Sequence, residues 1–291
     1  MRIGYACLTV GVPDTDLKSC MLKNASEGKL IELISHNLHS LEKIIDYNIA
    51  NRVRLFRISS DLIPFGSSPA NPLPWEEIFS AQLQLIGQKI KNNNMRVSMH
   101  PGQYTVLNSP DAGIVDRAMA DLDYHARVLD SLGTDAEHKI VLHIGGVYHD
   151  KKQAVSRFIS HFEQLGQAVK RRLVLENDDR SYNIEEVLEI AARLEVPVIF
   201  DNLHHAINPP ARKISDAYWM EQCRTTWRSG DGRQKIHYSQ QDPRKKPGSH
   251  SDTIYINEFM RFYDSLGRED LDIMLEVKDK NLSALKCINC T

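Results

Sequence analysis

Long apolar runs and paired cysteine motifs are both missing from this sequence of 291 residues. No apolar run approaches the ~20 residues that a membrane-spanning helix needs, so we expect no membrane segment. The first residues, Met1–Tyr5, are too few and too polar for a signal peptide. The five cysteines are an odd number and are scattered, which favours a reduced, cytoplasmic protein over a disulfide framework.

The common loops that bind phosphate or carry a nucleophile are also missing. The sequence contains no G-x-x-x-x-G-K-[ST] loop, no G-x-G-x-x-G fingerprint and no G-x-S-x-G elbow. A strong charge of one sign is missing too, because the formal net charge is only -2, which by itself argues against a nucleic-acid binder. That argument fails if the acidic residues hold metal ions, since bound cations reverse the local sign.

Eight short apolar runs are present, and helical patterns separate them. Hydrophobic content of 42% and charged content of 25% are typical of a globular protein. Alternating strands and helices of this number predict an α/β protein with a single (β/α)8 TIM barrel over residues 1–291. The predicted strands are Arg2–Ala6, Arg54–Ile58, Arg96–His100, Lys139–His143, Arg172–Glu176, Val196–Asp201, Gln234–Tyr238 and Leu271–Glu276.

Helices are predicted between most of these strands. One begins after a Ser109 cap with Pro110 in its first turn and runs to Gly133, and its apolar face includes His125, which we expect to be a core residue. The other predicted helices are Glu27–Tyr47, Trp75–Lys91, about Lys152–Val169, Asn183–Leu194, Asp216–Trp227 and a last turn at Ser283–Cys287.

Imidazoles and carboxylates stand where the predicted strands end. Strands three to eight end in His100, His143, Glu176, Asp201, His237 and Glu276. In a TIM barrel these ends converge on one face, where active sites lie. One histidine at a strand end is more often a hydrogen-bonding residue than a ligand. Six imidazoles and carboxylates at the ends of six consecutive predicted strands, however, indicate a metal site.

Imidazole with carboxylate suits zinc, manganese or iron. His204 and His250 could join these six residues, and eight ligands are enough for two or three ions. The metal-loaded mouth would be positive and would attract phosphate.

Seven short stretches around these positions resemble the UV damage endonuclease family, in order and over nearly the whole chain. They are Phe56–Asp61, His100–Tyr104, His143–Gly146, Leu175–Asp179, Asp201–His205, Lys235–Ser239 and Leu275–Lys278. The resemblance implies a TIM barrel related in architecture to endonuclease IV. It also implies an enzyme that nicks damaged double-stranded DNA on the 5′ side of UV photoproducts and some other lesions, using two or three divalent metal ions. Manganese is the first expectation, with zinc, cobalt or magnesium as alternatives.

The resemblance assigns roles to individual residues. It implies one metal site of His100, His143 and Glu176, a second of Glu176, Asp201, His237 and Glu276, and a third of His204 and His250. It also implies three catalytic residues, which are Tyr5, Glu176 and Lys235. The lysine matches one that can be carboxylated in the family. Gln103 and Tyr104 match the pair that probes the damaged dinucleotide.

Two positions depart from the family pattern. Ser68 stands in the second strand's loop where relatives often carry a histidine, and Thr9 stands where asparagine is expected. Serine is a poor metal ligand, so catalysis could be weakened, and a lesion-binding protein without catalysis is one alternative. A metal-dependent sugar isomerase or epimerase is another. No obligate protein partner is evident, and we expect a monomer.

Overall fold

The computed structural model describes residues 1–267 and 270–291. Eight parallel strands of three to five residues form one sheet within these ranges. The strands are β1 Arg2–Ala6, β2 Leu55–Arg57, β3 Arg96–Ser98, β4 Ile140–His143, β5 Leu173–Glu176, β6 Val198–Asp201, β7 Gln234–Tyr238 and β8 Leu271–Leu275.

The strand order closes the sheet into a barrel. Neighbours follow the order β3-β2-β1-β8-β7-β6-β5-β4, and every pair is parallel. The two ends of this order, β3 and β4, meet through a bridge between Met99 and Ile140. The TIM-barrel prediction is therefore confirmed.

Helices alternate with the strands along the described part of the chain. They are α1 Glu27–Ala50, α2 Trp75–Ile78, α3 Ser80–Asn92, α4 Ala112–Ser131, α5 Lys151–Gln164, α6 Gln167–Lys170, α7 Ile184–Leu194, α8 Asn202–Ile207, α9 Asp216–Thr225, α10 Ile256–Leu266 and α11 Asn281–Ile288. None of the described helices is both long and apolar enough to cross a lipid bilayer.

Three helix predictions need correction, and two of the described helices were not predicted. Helix α4 begins two residues later than expected, because the Asp111 carboxylate caps the amide of Ile114 while Ser109 only accepts the amide of Asp111. The predicted helices at Trp75–Lys91 and Lys152–Val169 are each split, the second where Leu165 takes an extended conformation before Gly166. Helices α8 and α10 were not predicted.

Apolar side chains fill the barrel in two layers. The outer layer packs the strands against the helices, as Phe56, Val97 and Phe158 do. The inner layer consists of two small buried clusters, Ala6, Leu55 and Met274, and Val141, Val174 and Ile199. Because side chains alternate along a strand, the residue two positions after each inner one also faces the barrel axis. That register points Arg57, His143, Glu176, Asp201 and Glu276 into the mouth.

Candidate metal centre

The strand-end residues meet at the carboxyl end of the barrel. Within the described ranges, three groups at the mouth place their potential ligand atoms within 4.8 Å of one another. These groups are His100, His143 and Glu176; Glu176, Asp201 and His204; and Glu176, His237 and Glu276. Glu176 belongs to all three, so its carboxylate is the centre of the arrangement.

The Glu176 carboxylate is fully buried and surrounded by imidazoles. One of its oxygens, Oε1, lies 2.6 Å from Nδ1 of His237. The other, Oε2, lies 3.2 Å from Nε2 of His100 and 3.5 Å from Nε2 of His143. Burial by itself raises the pKa of Glu176, but His237 and His143 outweigh it and hold the pKa well below its usual range. The carboxylate is therefore ionised and able to bind cations.

The ring of His100 presents a lone pair to this carboxylate. Its Nδ1 lies 3.1 Å from the Pro101 carbonyl oxygen, which can only accept, so Nδ1 carries the proton. Burial lowers the pKa of His100, so the ring is neutral and Nε2 is unprotonated. A lone pair 3.2 Å from a carboxylate oxygen calls for a cation between them. This is the donor arrangement of a metal ligand whose second nitrogen bonds to a backbone carbonyl.

Two buried polar atoms of the ligand residues have no hydrogen-bond partner within the described part of the chain. They are Oδ2 of Asp201 and Nδ1 of His143. Burial raises the pKa of Asp201 to about 6, while His204 opposes the shift. The pKa of His204 is in turn raised to about 9, because Asp201 and Glu176 outweigh its burial. Burying a polar atom without a hydrogen-bond partner is costly. Two such atoms among crowded carboxylates therefore fit a site that binds divalent cations.

Two asparagines that the sequence interpretation missed hold these strand ends in place. The side chain of Asn177 donates to the Asp201 carbonyl and accepts the Asp201 amide, at 3.1 and 2.9 Å. Asn202 repeats the pattern with Ser239, at 2.9 and 2.8 Å. Each amide thus extends the ladder past the end of a strand. The sequence signal is a carboxylate followed by asparagine at two successive strand ends.

Arg57 is another residue whose role the sequence interpretation missed. Its guanidinium on β2 is buried and donates to Oε1 of Glu276 at 2.5 Å. The same nitrogen lies 3.0 Å from Nε2 of His237. Burial by itself raises the pKa of Glu276, but the charges of Arg57 and His237 outweigh it and lower the pKa. The mouth therefore contains one fixed positive charge of its own.

The two other predicted catalytic residues lie away from the ligand groups. Lys235 is buried on β7, and burial lowers its pKa well below the usual value, with the charges of Arg96 and Arg57 adding to the effect. Tyr5 is fully buried at the end of β1, and its hydroxyl donates to Asn48 Oδ1 at 2.7 Å. Thr9 lies 2.9 Å from the same hydroxyl, so the departure at position 9 keeps a polar contact.

His250 and Ser68 lie outside the three groups. Burial lowers the pKa of His250, and the charge of Glu276 opposes that shift. His250 belongs to none of the ligand groups found within the described residues. The grouping therefore pairs His204 with Asp201 instead of with His250. The hydroxyl of Ser68 accepts the amide of Ala70 at 3.2 Å and serves the turn of its own loop.

The predicted probe residues lie on the turn that follows His100. Gln103 and Tyr104 are exposed, and Tyr104 retains 78% of its accessible surface. The turn separates two cavities of about 340 and 900 Å³, which share His100, Gly102 and Thr105. Gln103 lines the smaller cavity with His143 and His204, whereas Tyr104 lines the larger one. One turn therefore presents one side chain to each cavity.

A further cluster of Asp135, Glu137 and His138 lies at the opposite end of the barrel. Nδ1 of His138 accepts the amide of Val97 at 3.0 Å, so in the neutral ring Nε2 carries the proton. That nitrogen lies 3.9 Å from both carboxylates. With one nitrogen accepting and the other protonated, the ring has no lone pair for a metal ion.

Comparison with known proteins decides the family. The family described as UV-endonuclease UvdE matches residues 1–289. A UV DNA damage endonuclease of Clostridium perfringens (strain 13 / Type A) is 45% identical over 291 residues, covering 99% of this chain and 70% of that protein. The chain belongs to the UV damage endonuclease family. It is accordingly a nuclease, and this assignment favours the nuclease interpretation over the sugar isomerase.

Solved structures agree with the family assignment. The crystal structure of SacUVDE superposes with a TM-score of 0.94 at 40% identity, covering 100% of this chain and 97% of that one. Endonuclease IV from Thermus thermophilus superposes with a TM-score of 0.60 at 11% identity, covering 99% and 97%. The second likeness shows the fold alone, and it confirms the expected architectural relationship.

Proposed function

We propose that this chain hydrolyses the DNA phosphodiester on the 5′ side of UV photoproducts and other lesions with the help of two or three divalent metal ions. The observation that carries the proposal is the single carboxylate, Glu176, shared by three ligand groups at the mouth of the barrel. A shared carboxylate supports neighbouring ions, which suit the attacking and leaving oxygens of an in-line displacement.

The residues at the mouth divide the work. When bound, divalent ions supply Lewis acidity and a water of lowered pKa. Glu176, Asp201 and Glu276 supply the negative charge that holds them, and His100, His143, His204 and His237 complete the donor set. Arg57 adds a positive charge that also suits the scissile phosphate. Tyr5 lies behind the mouth: burial raises the pKa of its hydroxyl, which stays protonated and donates to Asn48.

Lys235 is proposed to be carboxylated on its side-chain amine. A carbamate forms when a neutral amine attacks carbon dioxide, and the lowered pKa of this buried ammonium favours the neutral amine. The charges of Glu176 and Asp272 favour the ammonium, but burial and the charges of Arg96 and Arg57 outweigh them. Manganese is the first choice of metal, because the mixed imidazole and carboxylate donors suit it, and zinc, cobalt or magnesium are alternatives.

Lesion recognition is assigned to the turn beyond His100. Displacing a damaged dinucleotide costs less unstacking energy than displacing intact bases, which provides selectivity before any pocket contact. Gln103 and Tyr104 would occupy the gap that the displaced dinucleotide leaves in the duplex. The cavity of about 900 Å³ on the Tyr104 side has room for the displaced bases. Damaged double-stranded DNA is thus the proposed partner, and a monomeric, cytoplasmic enzyme remains a prediction.

A nicking assay tests the proposal. Metal-free protein is supplied with Mn²⁺ and incubated with UV-irradiated and undamaged duplexes of the same sequence. We expect a nick on the 5′ side of the photoproduct that leaves a 3′-hydroxyl and a 5′-phosphate, and no comparable nick in the undamaged duplex. Absence of any damaged-strand cleavage with Mn²⁺, Zn²⁺, Co²⁺ or Mg²⁺ would sink the proposal.

The variant Gln103→Ala separates recognition from chemistry. It should weaken nicking of the irradiated duplex while the number of bound Mn²⁺ ions stays at the wild-type value. Gln84→Ala, at an exposed glutamine on α3, is the matched control. Loss of metal together with loss of nicking in Gln103→Ala would contradict the proposed role.

Binding without cleavage is the second candidate function, and Ser68 is the observation that favours it. The position where relatives often carry histidine holds a hydroxyl bonded within its own loop, so one potential ligand is missing. Tight binding of the irradiated duplex with no nick under any of the four metals would establish this alternative.

A further inference from the structure

Helix α4 is linked to both ends of the predicted probe turn, at one end through Ser60 and at the other directly. At the first end, the hydroxyl oxygen of Ser60 lies 2.9 Å from the carbonyl oxygen of His100 and 2.9 Å from Nε2 of His125 on α4. The single proton of this hydroxyl is shared between the two contacts. At the second end, the hydroxyl of Thr105 donates to Oδ2 of Asp121 on α4 at 2.6 Å. The exposed residues Gln103 and Tyr104 lie between these two anchors.

The two anchors on α4 act from one face of the helix. Asp121 and His125 are four residues apart, a spacing that places side chains above one another on a helix. Nδ1 of His125 lies 2.6 Å from the carbonyl oxygen of Asp121, which fixes the orientation of the imidazole. His125 is thus more than the core histidine that its apolar face predicts, although it is fully buried.

Tyr124 fixes Ser60 from the same helix. Its hydroxyl donates to the Ser60 carbonyl at 2.9 Å and accepts the amide of Ile63 at 3.2 Å. Ser60 is therefore held by its backbone as well as by its side chain. Because Tyr124 is buried, these bonds do not exchange with water readily.

The turn itself is short and closely packed. The Thr105 amide donates to the Gly102 carbonyl at 2.9 Å, which closes the turn. A Cβ added to Gly102 would lie only 2.8 Å from the ring of Tyr104, so the ring lies directly against the backbone. A shift at either anchor would move both probe side chains relative to the two cavities that they line.

We propose that α4 positions the probe turn, with Asp121 acting through Thr105 and His125 acting through Ser60, so that Gln103 and Tyr104 meet the duplex in a preset geometry. This inference rests on the proposed function, because it takes the turn to be the lesion probe. Asp121 and His125 are positioning residues under this proposal. They set how strongly damaged DNA is preferred over undamaged DNA, and they do not hold metal.

The variant Thr105→Val tests the proposal, because it keeps the shape of the side chain and removes the hydroxyl. Amide hydrogen exchange in the free protein should become faster across residues 102–105. Measured by fluorescence anisotropy with Mn²⁺ present, the preference for a UV-irradiated over an undamaged duplex should fall about tenfold, as expected for the loss of one bond to a charged acceptor. Bound Mn²⁺ should be unchanged.

Two control variants, Thr105→Ser and Asp123→Asn, and a second test variant, Asp121→Asn, accompany Thr105→Val. Thr105→Ser keeps the hydroxyl and should restore both the slow exchange and the preference for damage. Asp121→Asn should behave like a weaker form of Thr105→Val, whereas Asp123→Asn, at an exposed position of the same helix, should match the wild type. A general loss of structure in Thr105→Val would appear as fast exchange beyond the turn, and Asp121→Asn then decides.

The outcomes distinguish this inference from the proposed function. Unchanged exchange in the turn, or an unchanged preference for damage in a wild type that prefers it, overturns the inference alone. A wild type that neither nicks irradiated DNA nor prefers it overturns the proposed function, and the inference falls with it. Faster exchange with a reduced preference and wild-type Mn²⁺ content supports the inference.

Discussion

The two ends of the barrel both carry buried charges, but the amino end pairs its arginines within the chain, whereas the carboxyl end leaves some polar atoms without a partner. At the amino end, Arg96 donates to Asp272 at 3.0 Å and to three backbone carbonyls. Arg172 is bonded to Asp130 and three carbonyls in the same way. At the carboxyl end, Glu176 faces the Nε2 lone pair of His100, and Asp201 and His143 each have an unpartnered atom.

This difference shows what each end is for. Charges that the chain itself pairs hold the strand starts together, and their loss costs stability because a partner is left buried and unpaired. Polar atoms that the chain leaves unpaired are available to bind an external ligand. Their position agrees with the general rule that active sites of this fold lie at the carboxyl end. Lys235 lies between the two ends and is influenced by Arg96 on one side and Arg57 on the other.

The largest expected effect comes from removing a ligand at the carboxyl end. His143→Ala should lower bound Mn²⁺ and reduce the nicking rate about 10³-fold, as expected when several kcal/mol of transition-state stabilisation are lost. The free energy of unfolding of the metal-free protein should stay close to wild type. Single-turnover nicking, elemental analysis and urea unfolding measure the three quantities. His39→Ala, at an exposed histidine of α1, is the control, and wild-type metal content in His143→Ala would refute the assignment.

The opposite pattern is expected at the amino end. Arg96→Met removes one of the two cations paired with buried Asp272, the other being Arg2, and leaves three backbone carbonyls without their donor. It should lower the free energy of unfolding by roughly 3–5 kcal/mol, with bound Mn²⁺ unchanged. Urea unfolding of the metal-free protein measures the loss. Arg244→Met, where the side chain is 76% exposed, should change stability by no more than about 0.5 kcal/mol. A stable Arg96→Met that has lost metal would reverse the comparison between the two ends.

The smallest effect concerns pH at the amino end. Burial lowers the pKa of His138 to about 4, from an ordinary value of 6.5. As the pH falls, the unfolded chain takes up this proton first, so His138 costs stability progressively between pH 6.5 and 4, to a total of roughly 3 kcal/mol. His138→Asn keeps an acceptor for the amide of Val97 and removes the titration.

Urea unfolding at pH 7 and pH 4.5 measures this effect. The loss of stability between the two pH values should be smaller in His138→Asn than in the wild type. The difference should be somewhat less than the roughly 3 kcal/mol of the complete titration, because pH 7 and pH 4.5 span only part of it. Identical losses in the two proteins would show that His138 is protonated in the folded state as well.

Much of the fold and of the ligand set could be predicted from the sequence. Short apolar runs between helical patterns indicate strands. A parallel barrel brings the carboxyl ends of its strands together regardless of the loop conformations. His100, Glu176 and His237 therefore meet as expected. Helix ends were less predictable, because Ser109 and Asp111 are both good caps and only the tertiary context selects one.

The contacts that hold the site in place could not be predicted in the same way. Asn177 and Asn202 act on the neighbouring strand, so their role depends on strand order and register as well as on local pattern. In the sequence, Arg57 looks like the neighbouring Arg52 and Arg54. Only the position of β2 in the barrel shows that Arg57 reaches Glu276 at the mouth. His125 shows the same limit, because its apolar face is visible in the sequence and its bond to Ser60 is not.

The most direct test counts metal ions in the wild type and in Glu176→Gln. Metal-free protein is titrated with Mn²⁺, and the ions bound per chain are counted after equilibrium dialysis. Because Glu176 is shared by all three groups, we expect two or three ions in the wild type and a loss of affinity at every site in Glu176→Gln, while the exposed control Glu189→Gln behaves as wild type. Equal stoichiometry and affinity in Glu176→Gln and wild type would contradict a metal centre built on this carboxylate.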